Sequence, residues 1–154
     1  MIRDSQTGVW EAAALTATAV STNAIDLGAA AVSGSVARDP SVGEPLVFIL
    51  TVGVAAASNG TQTYEFDVVT ADDNALSVNL TTIAQYAFTT TQASTLLVQG
   101  AIINLPVPQG GVTRRFLGLK FIGANTPTIT VTAWCAPATM SQMSRNYATL
   151  IQIL

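Results

Sequence analysis

A chain of 154 residues is long enough for one domain with a real core, and its 10% of charged residues falls well short of the roughly 25% typical of soluble domains. Hydrophobic residues reach 49% with only 6% aromatic, so Ala, Val, Leu and Ile carry the apolar character. Six basic residues against nine acidic ones argue against nucleic-acid binding, and the complete lack of histidine removes the commonest general base and metal ligand.

Residues 1–13 begin polar and pass into a small-residue stretch around Trp10, which reads as an N-terminal arm. The segment "LTATAVSTNAIDLGAA" (15–30) is small, apolar and hydroxyl-rich, with Asp26 its one charge. Such neutral surface suits contact with other protein subunits. "ARDPSVGEP" (37–45) reads as a turn, and "PLVFILTVGV" after it as a strand apolar on both faces. In "TYEFDVVTA" (63–71), Tyr64, Phe66 and Val68 alternate with Glu65 and Asp67, the period of a half-buried strand.

The turn "ADDNA" precedes "ALSVNL" (75–80), where Leu76, Val78 and Leu80 alternate with Ser77 and Asn79 as another strand. Residues 81–92 fit a strand, a loop or a short helix. "STLLVQGAIINL" (94–105) reads as a strand buried on both faces, and "PVPQGG" (106–111) as a turn. In "RRFLGLKFIG", Leu117, Leu119 and Phe121 oppose Phe116, Gly118 and Lys120. In "TPTITVTAWC", Ile129, Val131, Ala133 and Cys135 oppose Thr128, Thr130, Thr132 and Trp134. The closing "ATMSQMSRNYATLIQIL" (138–154) ends apolar where a free tail would be polar, so it is expected to be buried against its own domain or a neighbour.

Seven or eight strands with regular turns predict an all-β, antiparallel β-sandwich, jelly roll or immunoglobulin-like, over residues 14–137, flanked by arms at 1–13 and 138–154. The start lacks a basic region followed by an apolar run, and the longest apolar stretch is about a dozen residues against the roughly twenty a membrane helix needs. The expectation is a soluble protein made in a cytoplasm, with no membrane partner.

No catalytic set assembles from these residues, and the chain is expected not to be an enzyme. Cys135 lies in an alternating run and has no histidine beside it, which predicts an inert buried thiol. Asp72 and Asp73 suit a hairpin turn better than a calcium loop, which needs more acids at set spacings. Glu44 and Glu65 are further acids of the domain body, of the kind a glycosidase would need to gather in a cleft. Arg114 and Arg115 read as an exposed strand start or a structural ion pair, and Gly110–Gly111 precedes a strand and so forms a turn, not a phosphate cradle. No metal or cofactor is expected.

"ALTATAVSTNAIDLG" (14–28), "VGEPL" (42–46), "TYEFDVVTADD" (63–73) and "SRNYA" (144–148), in that order, resemble the small structural proteins of tailed bacteriophages, and among them the Bbp16-like capsid cement family. The resemblance implies a jelly-roll subunit, usually trimeric, that binds the outside of an icosahedral head and clamps neighbouring major capsid subunits. It carries over no catalytic residue. The loop "AAAVSGSVAR" (29–38) is longer than the family pattern suggests. On this reading Trp10, Met140, Met143, Tyr147, Leu150, Ile151 and Ile153 are the candidate contacts to sister subunits or to the capsid. A carbohydrate- or receptor-binding sandwich of a tail appendage is the alternative, with a pilus or surface-layer subunit behind it.

Overall fold

The computed structural model describes residues 7–28, 45–57, 60–108 and 110–138. Among these residues the chain order is β1 (Gly8–Leu15), β2 (Ala19–Val20), β3 (Ile25–Asp26), β4 (Leu46–Val54), β5 (Thr63–Ala71), β6 (Thr81–Phe88), α1 (Thr90–Leu96), β7 (Ile102–Pro106), β8 (Phe116–Ala124) and β9 (Ile129–Pro137). The strands make two antiparallel sheets, one ordered β1-β9-β4-β7 and the other β2-β8-β5-β6, with β3 also on β8. The pairings nest: β1 with β9, β2 and β3 with β8, β4 with β7, and β5 with β6. This is an all-β sandwich.

Period two decides what faces inward. Tyr64, Phe66 and Val68 share one core with Leu117, Leu119 and Phe121 and with Ile129, Val131, Ala133 and Cys135, as the alternation requires. The unbroken apolar run of β4 is apolar on both sides for a reason. Phe48, Leu50 and Val52 enter the main core, while Val47 and Ile49 form a second cluster with Ala136, against which Trp134 packs.

Three expectations are corrected. First, β1 begins at Gly8, so residues 8–13 are sheet and not arm. They pair with β9 through two irregularities, on either side of Trp10, and Ala12 takes a positive φ of 45° there. The extra residues let β1 bend over the core while Trp10 still points inward. Residues 1–6 and 139–154, which hold the rest of the expected arms, lie outside the described residues, as does the 29–38 loop.

Second, "ALSVNL" is a loop despite its alternation. Asp73 Oδ1 accepts the backbone N–H groups of Ser77 at 2.8 Å and Val78 at 2.7 Å, which holds the chain in a turn. Leu76 and Asn79 adopt left-handed φ values of 52° and 53°. Leu76 is driven inward by its neighbours: it plugs the outer face of the second sheet over Val69 and Ala71.

Third, "STLLVQGAIINL" divides between a helix, a turn and a strand. Residues 81–92 resolve as β6 followed by the start of α1, where Thr89 and Gln92 form a reciprocal capping box.

The hydroxyl-rich stretch 15–28 serves its own domain. Ser21 N–H donates to Leu119 C=O at 2.7 Å, and Ser21 Oγ donates to Asn23 C=O and accepts from Leu119 N–H. Thr22 Oγ1 and Asn23 N–H both donate to Val9 C=O. Small polar side chains therefore bridge β1 and β8 where the chain turns from one sheet to the other.

The Leu76 plug exists because position 118 has no side chain. A Cβ there would lie 2.5 Å from Leu76 Cδ1 and 2.8 Å from Ser21 Oγ, both immobilised by burial and hydrogen bonds. Gly118→Ala is expected to destabilise by about 1–3 kcal/mol in urea unfolding. Gly111→Ala, whose Cβ meets nothing closer than 3.6 Å, is expected to stay within about 0.5 kcal/mol of the parent.

Candidate functional site

Among the described residues, each acidic or basic group considered for chemistry has a structural occupation. Asp73 also accepts Ser77 Oγ at 2.7 Å, and the Val78 and Ser77 bonds hold its carboxyl below the usual range. Asp72 accepts Asn79 Nδ2 at 2.7 Å and both of its oxygens meet Arg114 Nη1 at 2.9 Å, which likewise lowers its carboxyl. Arg115 forms a bidentate pair with Asp26 at 2.7 and 2.8 Å, and Asp26 also accepts Gly28 N–H. The two arginines therefore clamp the loop after β5 and the end of β3 to the start of β8, one bridge on each side. The turn and ion-pair readings of these residues hold.

Glu65 and Asp67 lie two apart on the outer face of β5, where Asp67 sits opposite Gln85 of β6 and Lys120 of β8, and Glu65 opposite Ala87 and Ile122. Gln85 Nε2 donates to Glu65 and Thr82 Oγ1 donates to Asp67. Burial and the adjoining Asp67 carboxylate push the Glu65 carboxyl up, with Lys120 opposing. Glu44 lies outside the described residues. Among the described residues no three metal-binding side chains converge, and no helix is long and apolar enough to cross a membrane. Cys135 is buried at the sandwich interior, which pushes its thiol up to about 12.

Of the candidate contact residues, Trp10 is the one within the described residues, and it is 2% exposed. Its indole meets the Phe66 ring edge-on with centroids 6.4 Å apart. A ring enclosed by its own core has no face to offer a partner, so Trp10 is reassigned from contact residue to core. Met140, Met143, Tyr147, Leu150, Ile151 and Ile153 lie outside the described residues.

The exposed apolar side chains are elsewhere. Of the five exposed large apolar side chains among the described residues, Val78 (50%) lies in the loop between β5 and β6, and Val54 (58%), Leu96 (51%), Val98 (43%) and Ile102 (44%) lie around the ends of β4 and α1 and the start of β7. Hydrogen bonds gather these four: Ala56 N–H to Leu97 C=O, Gly100 N–H to Val52 C=O and Val52 N–H to Ala101 C=O lace the end of α1 to the end of β4. The signal for this patch was present in the sequence. None of the six basic and nine acidic residues falls between positions 74 and 113, which span β6, α1 and β7.

The architecture defines a two-sheet antiparallel β-sandwich in which four of the five exposed large apolar side chains among the described residues lie around the ends of β4 and α1 and the start of β7. The Bbp16 family model matches residues 9–137, and the chain belongs to the Bbp16 family. No curated protein matches the chain.

Two outcomes follow for the ionisable groups. A buried thiol raised to about 12 is expected to resist iodoacetamide in the native protein at about pH 8 and to react once denatured, because only thiolate attacks; intact-mass measurement reads both. A carboxyl lowered from 3.8 stabilises the fold above that pH and loses the contribution as pH falls through its folded value. Asp73→Asn is therefore expected to lower Tm at neutral pH, with the gap to the parent closing on acidification below 3.8.

Proposed function

We propose that this chain is a capsid cement protein of a tailed bacteriophage, made in the host cytoplasm and carried on the outer surface of the head. It is a jelly-roll subunit that assembles as a homotrimer and clamps adjacent major capsid subunits. The observation that carries the reading is the Bbp16 family match, which runs from β1 to the end of β9, taken with the resemblance of the sequence to capsid cement proteins.

The strand order supports the jelly-roll form. Counting β2 and β3 as two halves of one position on β8, eight positions pair in nested fashion, and the order alternates between sheets except at the β5–β6 hairpin. The physical demands of the role fit as well. A cement subunit is soluble before docking and then buries surface against sisters and shell, so few charges mean little desolvation cost. Three copies held together dock at high effective concentration, which turns three weak contacts into one durable attachment. Stable contacts of this kind bury about 1,600 Å². The apolar residues Met140, Met143, Tyr147, Leu150, Ile151 and Ile153 are proposed to contribute to them. No nucleic acid, membrane or cofactor enters the role.

Light scattering after size exclusion is expected to give three times the 15.9 kDa chain mass, and the protein is expected to co-sediment with expanded heads of its own phage lacking it. Deleting residues 141–154 is expected to weaken that sedimentation. A single-chain mass, or heads that pellet without the protein, overturns the proposal.

A further inference from the structure

We propose that the open edge of β7, together with the end of α1, is the surface through which copies of this chain contact one another. The inference rests on the trimer part of the reading above and names the surface that carries it.

β7 ends the first sheet, with β4 on one side and no strand on the other among the described residues. The bond from Val107 N–H to Leu46 C=O fixes the phase of the ladder. Leu105 and Ile103 therefore turn their backbone groups toward β4, and Ile102 and Asn104 turn theirs to the open edge. An unpaired strand edge is a template for association, and monomeric proteins usually guard it with charged side chains. This one carries none, and Pro106, its one blunting residue, lies at the far end.

The second sheet ends on the same side of the molecule, at β6, which is also free of charge. Tyr86 of β6 donates its hydroxyl to Pro106 C=O at 2.7 Å, tying the two edges into one wall. An open depression of about 480 Å³ lies along it, lined by Thr82, Ile83, Ala84 and Gln85. The opposite side of the sandwich differs: Glu11 lies on β1, and the Asp26–Arg115 pair lies at β3.

Charge decides the occupant. A partner with a charged docking face would lose hydration against this wall and gain no counter-charge. A second copy that presents this same charge-free wall strips no charge on either side. Leu96, Val98 and Ile102 then supply apolar area, and the edge-facing backbone groups of Ile102 and Asn104 supply hydrogen bonds.

The double variant Leu96→Glu, Ile102→Glu tests this. Both side chains are about half exposed, so the fold is expected to survive by circular dichroism while the light-scattering mass falls from the multimer to the single chain. Glu11→Lys, on the opposite edge, is expected to keep the wild-type mass. Amide exchange on the wild-type protein gives a readout independent of any variant: peptides covering 96–105 are expected to exchange faster as the protein is diluted.

A double variant that keeps the wild-type mass, a single-chain mass for the wild type, or exchange unmoved by dilution overturns the inference. A double variant that stays multimeric but no longer sediments with heads assigns the wall to the shell, which overturns the inference and leaves the cement reading standing. Wild-type protein that self-associates through this wall and ignores heads does the reverse.

Discussion

The contact of Trp10 with Phe66 is where the two sheets close on each other. Trp10 comes from β1 in one sheet, and Phe66 from β5 in the other, where Phe66 also meets Phe88 and Phe121 with centroids 6.2 and 5.3 Å away. With so few aromatic residues, this group supplies much of the bulk that keeps two sheets of Val, Leu and Ala apart at packing distance. Its geometry explains the irregular pairing of β1: the strand must bulge to keep the indole inward while its neighbours stay on β9. Nesting of the strands depends on β1 too, since it closes the outermost pair.

What was legible in the sequence follows from this core. β5, β8 and β9 each send alternate side chains into the main core, so their two-residue period was written plainly in Phe66, Leu119 and Val131, even though Leu76 also covers Val69 and Ala71 on the outer face of β5. β4 was legible as an apolar run because both of its faces are covered. Where the reading failed, a local interaction outweighed the period. The carboxylate of Asp73 captured the amides of residues 77 and 78 and made a loop of an alternating hexapeptide. Trp10 was misplaced because small residues around it hid a strand, and bulged strands break the alternation that would have marked it.

The helix is an instructive case. Four consecutive Thr and Gln residues gave no apolar period, but Thr89 and Gln92 stand at the spacing of a capping box. That signal was available and outweighed by the β-branched character of the segment. The candidate surface had a similarly quiet signal. The stretch from Asn74 to Thr113 carries no charge at all, and an absence in a sequence is harder to notice than a motif.

The few charges of the described residues sit mostly in close pairs or in turns. Arg114 is matched by Asp72 and Arg115 by Asp26, so each dipole closes on itself within a few ångströms. A molecule built this way projects little field into solvent. Encounters at the uncharged wall are then unguided by long-range attraction, and their rate should vary little with ionic strength. Association through the proposed wall would then proceed at nearly the same pace at low and at high salt.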